Sequence, residues 1–297
     1  MKILIFSTAD WEHPFWTNKQ HVAKTLANLG HKVVYIESLG LRKIRVGVND
    51  RNRIFRRVKG IFNSPRKVMK NLWVISPIVI PGIDNKLINV INMILMQITL
   101  FYSYRKLKFT CNILWTYNPA TILYIKPSNF KCSLYHCVDD IGHQPDMPRK
   151  QISLLESKLA NNVDILVTTN NKLKDKLKDF SKKIYVLPNV VDYEHFSQPT
   201  KSAIKGAKHL INDIPKPRIG FVGAISKYKL DFELIEKCAN QYTEFSFIFI
   251  GAIGEGEGQT DISELSKIKN IYFLGPKSYY DLPGLMSHFD IGIIPSR

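Results

Sequence analysis

Pro188-Asn189-Val190-Val191-Asp192-Tyr193-Glu194-His195-Phe196 separates two successive arrays in which short apolar runs alternate with helical patterns. Two such arrays on one chain imply two α/β domains with a cleft between them. Before this joint, apolar and β-branched runs predict strands near 2–7, 32–37, 72–76, 112–116, 132–137, 163–168 and 184–187. Helical patterns fall at 18–29, 42–62, 84–106, 146–160 and 170–179. After it, strands are expected near 218–222, 245–250, 270–274 and 290–294, with helices near 230–241, 261–268 and 278–288. Unbroken apolar runs suit a sheet covered on both faces, and parallel neighbours need the crossovers that helices supply. The expected fold class is therefore α/β, with two Rossmann-like doubly wound domains. They are residues 1–197 and 218–297, joined by a linker at 198–217 with one short helix. The second domain is expected to be incomplete, because its last strand ends just before Arg297.

At 297 residues and 45% hydrophobic, the chain has room for two ordinary cores, taking roughly 150 residues per domain. Lys+Arg 42 against Asp+Glu 25 gives +17, which favours anionic partners such as nucleotides, phospholipid headgroups or nucleic acid. Met1-Lys2-Ile3-Leu4-Ile5-Phe6 leads straight into a strand with no signal-peptide pattern, so a cytoplasmic location is expected. Cys111, Cys132, Cys137 and Cys238 form no C-x-x-C pair and read as buried thiols, with no metal site. Asn89, Asn92 and Gln97 interrupt the apolar stretch from Leu87 to Tyr104, which reads as a core helix, or as one resting on a membrane surface, rather than a span. Between Arg42 and Lys70 stand eleven basic residues against one acid, Asp50, interleaved with apolar ones. That pattern favours an anionic membrane surface; no nucleic-acid motif accompanies it, and a solvated face is the plain alternative.

Ligands of doubly wound sheets bind at the carboxyl ends of the strands, so the loops there are where chemistry is expected. The loop Ser7–His21 holds no glycine, which excludes a dinucleotide turn of the G-x-G-x-x-G kind. It offers Trp16, whose flat face suits a sugar ring, and Thr17 as a helix cap beside Lys19 and His21, which suits an anion; packing by its own aromatics is the other reading. Tyr135-His136-Cys137-Val138-Asp139-Asp140 sets a histidine and two carboxylates at a strand end, where they read as catalytic or equally as a core histidine and a turn cap. Trp115-Thr116-Tyr117-Asn118 ends another strand beside them, placing Tyr117 and Asn118 on the same wall. Gly220-Phe221-Val222-Gly223-Ala224 is a small-residue turn followed by Lys227 and Lys229, where backbone N–H groups and a point charge suit a phosphate. Gly251-Ala252-Ile253-Gly254-Glu255-Gly256-Glu257-Gly258 lacks a Walker lysine and reads as a flexible rim loop.

Together, Trp16–His21, Tyr135–Asp140, Pro188–Asp192, Phe221–Ala224, Phe273-Leu274-Gly275-Pro276-Lys277, Leu282-Pro283 and Phe289–Pro295 resemble, in order and spacing, the GT-B glycosyltransferases of family 4 that build bacterial cell-surface polysaccharides. The resemblance covers nearly the whole chain. It implies transfer of a sugar from a nucleotide sugar, UDP- or GDP-linked, to a glycan or lipid-linked acceptor, without metal or cofactor and with retention of configuration. It places Asp139 and His136 in catalysis, Gly223, Ala224, Lys229, Pro276 and Lys277 at the donor, and Trp16, Lys19, His21, Tyr117 and Asn118 at the acceptor. The basic segment 42–70 is expected to hold the protein at the inner face of the cell membrane, and with no nucleic-acid motif beside it no nucleic-acid partner is expected. Two departures stand out. Ala224 occupies a position where the family often has arginine, and the acidic E-x7-E region of the family would follow Ile293-Ile294-Pro295. The alternative is an inactive or truncated GT-B-like protein that binds a membrane or a partner.

Overall fold

A computed structural model of the chain describes residues 1–13, 16–39, 65–80, 82–145, 147–180, 183–255 and 257–297. The expected helix at 42–62 and most of the basic run that ends at Lys70 lie outside the described residues. Two compact units are present, Met1–Asn189 and Val190–Arg297.

The first unit is built on an eight-stranded sheet. Its strands are β1 (Lys2–Phe6), β2 (Lys32–Ile36), β3 (Arg66–Met69), β4 (Leu72–Ile75), β5 (Ile113–Thr116), β6 (Cys132–Cys137), β7 (Ile165–Thr168) and β8 (Ile184–Val186). Their order across the sheet is β3-β4-β2-β1-β5-β6-β7-β8. Every neighbouring pair is parallel except β3 and β4. Alternation along each strand divides the core: Leu4, Phe6, Val34 and Ile36 pack on one face with Met96 and Leu100, while Ile3, Ile5, Val33 and Tyr35 pack on the other with Ala23 and Ala27. The helices supplying those partners are α1 (Asn18–Asn28) and α2 (Lys86–Leu107). Further along come α3 (Thr121–Tyr124), α4 (Arg149–Asn162) and α5 (Asn171–Leu177). Strand order reverses between β1 and β5, the switch point at which such sheets present their ligand loops.

Sequence reading did not anticipate β3. Its Arg-Lys-Val-Met pattern carries no apolar run, and it pairs antiparallel to β4 through a tight turn with Asn71 at φ 65°, a left-handed conformation that asparagine tolerates.

The second unit has four strands, all parallel: β9 (Arg218–Val222), β10 (Ser246–Ile250), β11 (Ile271–Gly275) and β12 (Ile291–Gly292), in the order β11-β10-β9-β12. Its helices are α6 (Tyr193–Ser197), α7 (Lys201–Ile211), α8 (Phe232–Gln241), α9 (Ser263–Ser266) and α10 (Leu282–Met286). Phe221, Phe247 and Phe249 face Ile235 and Ala239 on one side, while Ile248 and Ile250 face Ala207, Ile211 and Leu285 on the other. Residues 198–217, expected as a linker with a short helix, thus contribute eleven residues of helix whose Ala207 and Ile211 belong to this core. The strand expected at 290–294 is only two residues long, and Ile291 and Ile294 are exposed rather than buried.

Close helix contact sets the position of α10. A Cβ on Gly284 would stand 2.4 Å from the Ala203 carbonyl oxygen of α7, so only glycine allows the approach. Gly284→Ala should destabilise the second unit by about 1–3 kcal/mol through this overpacking, read as a lowered denaturation midpoint with an unchanged slope.

Candidate functional site

In the first unit the carboxyl ends of β5 and β6 and the start of α1 bring five of the expected residues close together. Helix α1 begins at Thr17, whose backbone N–H and hydroxyl both donate to Gln20 Oε1, at 3.1 and 2.9 Å. Gln20 Nε2 donates to the Asp10 carbonyl, fixing the preceding loop. This start turns Lys19 inward, where it is buried with its ammonium 3.7 Å from Asp139 Oδ2. Asp139 itself is exposed, just beyond β6. His136 lies beneath it, buried against Tyr117 with ring centroids 5.0 Å apart. Both His136 ring nitrogens are buried and lack a hydrogen-bond partner among the described residues. Burial, reinforced by the Lys19 charge, lowers its pKa to about 4, so the imidazole is neutral near pH 7.

Tyr117 and Asn118 are fully buried and form a floor rather than an open wall. Asn118 Oδ1 accepts from the Ala120 N–H, closing the turn after β5, and its Nδ2 is without a partner among the described residues. Trp16 is half-buried and packs edge-on against His21 at 5.5 Å and against Trp11 at 5.0 Å. Its loop is therefore partly packed by its own aromatics.

Sequence reading missed the group that holds the β6 loop from below. Tyr135 Oη donates to Glu156 Oε1 at 2.8 Å, and Lys176 bridges Glu156 Oε2 at 2.6 Å to Asp140 Oδ1 at 2.9 Å. His143 completes the chain at 2.8 Å from Asp140. Burial opposes ionisation of Asp140, yet the hydrogen bonds from Lys176 and His143 outweigh it and hold its carboxyl below the usual range. Asp140 thus anchors the loop, leaving Asp139 as the carboxylate presented to solvent.

In the second unit the loops after β9, β10 and β11 converge. Gly223 N–H donates to the Ile250 carbonyl, Gly251 N–H to Gly275, and Ile225 N–H to Ala252. A Cβ on Gly251 would stand 1.8 Å from Gly223 O, so that contact requires glycine, and its φ of 156° lies in the range that favours glycine. Two N–H groups of the Gly223-Ala224-Ile225 turn are therefore already used, although sequence reading had offered them to a phosphate. Lys229 is exposed, its ammonium 5.4 Å from the Tyr228 ring. The rim loop is tied down: Glu257 Oε2 accepts from Tyr228 N–H at 3.1 Å and from Thr260 Oγ1 at 2.9 Å. Ser226, which no motif marks, has a fully buried hydroxyl without a partner among the described residues. Beyond β11, Pro276 is exposed and Lys277 half-buried. The next residues pack on α6, where His195 stacks on Tyr279 at 4.3 Å and its Nε2 lies 3.0 Å from the Tyr279 carbonyl.

No protein-family model matches the chain. A curated protein of Bacillus subtilis, TuaH, described as a candidate teichuronic acid biosynthesis glycosyltransferase, is 29% identical over 157 residues. That match spans 50% of this chain and 37% of TuaH. Among solved structures, a sucrose-phosphate synthase from Thermosynechococcus elongatus superposes with a TM-score of 0.72 at 14% identity, covering 100% of this chain and 75% of that one. Anabaena HepE in complex with UDP and glucose gives 0.64 at 14%, covering 98% and 73%. WaaG, a glycosyltransferase involved in lipopolysaccharide biosynthesis, gives 0.59 at 11%, covering 99% and 75%. These similarities and the parallel topology establish the fold as two Rossmann-like α/β units of the GT-B type.

The buried neutral His136 makes a sharp prediction. A histidine titrates near 6.5 when unfolded and here near 4, so between those values the unfolded chain binds more protons and stability rises with pH. The window is worth on the order of 3 kcal/mol. Asp140, Asp164, Asp261 and Asp290, all lowered, add a slope of the same sign towards the acid end of this range. Denaturant titrations from pH 4 to 6.5 should show this slope, and His136→Phe, which keeps a ring on Tyr117, should flatten it.

Proposed function

We propose that this chain is a GT-B glycosyltransferase, of the family-4 cell-surface type, that moves a sugar from a UDP- or GDP-sugar to a glycan or lipid-linked acceptor. The observation that carries the reading is the meeting of Lys19, in the first turn of α1, with His136 and Asp139 at the end of β6, beside the switch point of a Rossmann-like unit in a fold similar to HepE. The partial match to TuaH supports the glycosyltransferase and cell-surface parts. HepE has been solved with UDP and with UDP-glucose, which supports a nucleotide-sugar donor here.

In this reading the second unit takes the donor. Lys229 faces solvent after the β9 turn and neutralises the departing diphosphate, the charge that grows in the transition state. Lys277, Pro276, Gly223 and Ala224 complete the donor loops; the chemistry uses no metal and retains configuration. The first unit takes the acceptor. Asp139, held by Lys19, orients the acceptor hydroxyl or takes its proton, and His136 offers an unpartnered nitrogen to the bound sugar from below. A neutral imidazole can accept or donate one hydrogen bond, which suits a hydroxyl. Trp16 and His21 flank the entrance, over the floor of Tyr117 and Asn118. The protein works on the cytoplasmic face of the membrane, and the basic run at 42–70 contributes attraction to anionic lipid.

Two substitutions separate these roles. Lys229→Ala should weaken UDP-glucose or GDP-sugar binding by about 10- to 100-fold in calorimetry, the loss of one charge-assisted hydrogen bond. Unchanged affinity would remove Lys229 from the donor site, and absence of binding to any nucleotide sugar by the native chain would overturn the function. Asp139→Asn should lower kcat by about 10²- to 10⁴-fold with little change in stability, since the side chain is exposed.

A further inference from the structure

We propose that the outward face of α2 is a membrane-docking surface, which lays this helix along the headgroup boundary of an anionic bilayer. The inference deepens the membrane part of the reading above and is independent of the sugar-transfer part.

Helix α2 is 22 residues, about 33 Å of helix, and is long and apolar enough to cross a membrane. Its polarity is inverted relative to a water-soluble surface helix. Asn92 is buried, accepting from Ile80 N–H and donating to Ile80 O, each at 2.7 Å. Asn89 donates to Ile83 O at 2.9 Å and Gln97 to Tyr124 O at 2.8 Å. The amides are thus spent on the protein. Leu87, Ile91, Ile94, Ile98, Phe101 and Tyr102 recur at helical spacing along the opposite side and are exposed, Leu87 by 69%, Ile94 by 50% and Phe101 by 58%. A continuous apolar stripe of this length is unusual on a free surface and marks an interaction face.

Charge identifies the occupant. The helix contains no acid; it begins at Lys86 and ends with Arg105 and Lys106, followed by Lys108, and the nearest acid in sequence is Asp84, ahead of the cap Asn85. Basic residues at both ends of an apolar ridge suit a bilayer, where the stripe enters the acyl boundary and the cations reach the phosphates. A second copy of the chain fits poorly, because antiparallel pairing of two such ridges sets Lys86 against Arg105 and Lys106, and parallel pairing sets each cation against itself. Spanning is excluded by the inner side, where Met96 and Leu100 belong to the core of the first unit. The helix therefore lies on the membrane.

Cosedimentation of the full chain with phosphatidylcholine vesicles, with and without phosphatidylglycerol, tests this. Binding to anionic vesicles is expected for the native chain, with at least a tenfold loss in the pair Ile94→Glu and Ile98→Glu. Both sites are exposed, so the melting temperature should not change. Lys86→Gln with Arg105→Gln and Lys106→Gln should reduce binding to anionic vesicles only. Native chain left in the supernatant with both vesicle types would overturn the proposal. So would undiminished anionic binding by the glutamate pair, which would leave the basic run as the sole attachment. Light scattering that shows a dimer dissolved by the glutamate pair, without lipid binding, would make the face a protein interface instead.

Discussion

Parallel pairing is the constraint on which the rest of this molecule depends. Each parallel neighbour must be reached by a crossover, so every strand but β3 points the same way and all their carboxyl ends lie along one edge of each sheet. Residues far apart in sequence meet there without any local reason to do so. The ladder even continues past the strands: Ser7 N–H donates to Ile36 O and Tyr117 N–H to Phe6 O in the first unit, as Gly223 N–H does to Ile250 O in the second. The loops that carry the candidate chemistry are thus held by the same backbone bonds that hold the sheets.

Beneath the β6 loop lies a second device, of a different kind. Glu156 is almost wholly buried, and Lys176 links it to Asp140 near the surface. Such a pair recovers little net stability, because desolvating both charges offsets their attraction. Its consequence is positional: removing Lys176 would leave a buried carboxylate unpaired, so the loop is fixed in the one arrangement that satisfies it. Asp139, the residue before Asp140, inherits that position, and the Lys19 contact completes it.

The strands were legible because burial on both faces forces apolar runs. Ile3, Leu4, Ile5 and Phe6 are all buried, as is every residue of Ser246–Ile250. β3 escaped because it is an edge strand with half-exposed Arg66 and Met69, where no core demands apolar residues. Residues 198–217 read as a linker with one short helix, and not as part of a core, because the lysines and Gly206 of α7 hide a narrow apolar stripe; Ala207 and Ile211 suffice to seat it. At the site, residue types were legible and their states were not. That Tyr135-His136-Cys137 buries a neutral histidine follows from Tyr117 and Lys19, which arrive from other elements. That the Gly223 turn has spent two of its N–H groups follows from Ile250 and Ala252, on a neighbouring strand and loop.

Helix α2 shows why composition alone misjudges a face. Asn89, Asn92 and Gln97 lower its mean hydropathy and suggest a helix partly turned to water, but an average cannot say where the amides point. An amide is as well satisfied by a buried carbonyl as by solvent, and here Ile80, Ile83 and Tyr124 supply those carbonyls. Once the amides bond inward, geometry at 3.6 residues per turn leaves Leu87, Ile91, Ile94 and Ile98 no direction but outward. In water that stripe contributes nothing to folding and costs solubility, about 25 cal/mol for each Å² left uncovered. The hydrogen bonds hold the helix to its unit regardless of what lies outside it. Among the described residues the outer face is exposed, and its apolar character accords with the docking proposed for it.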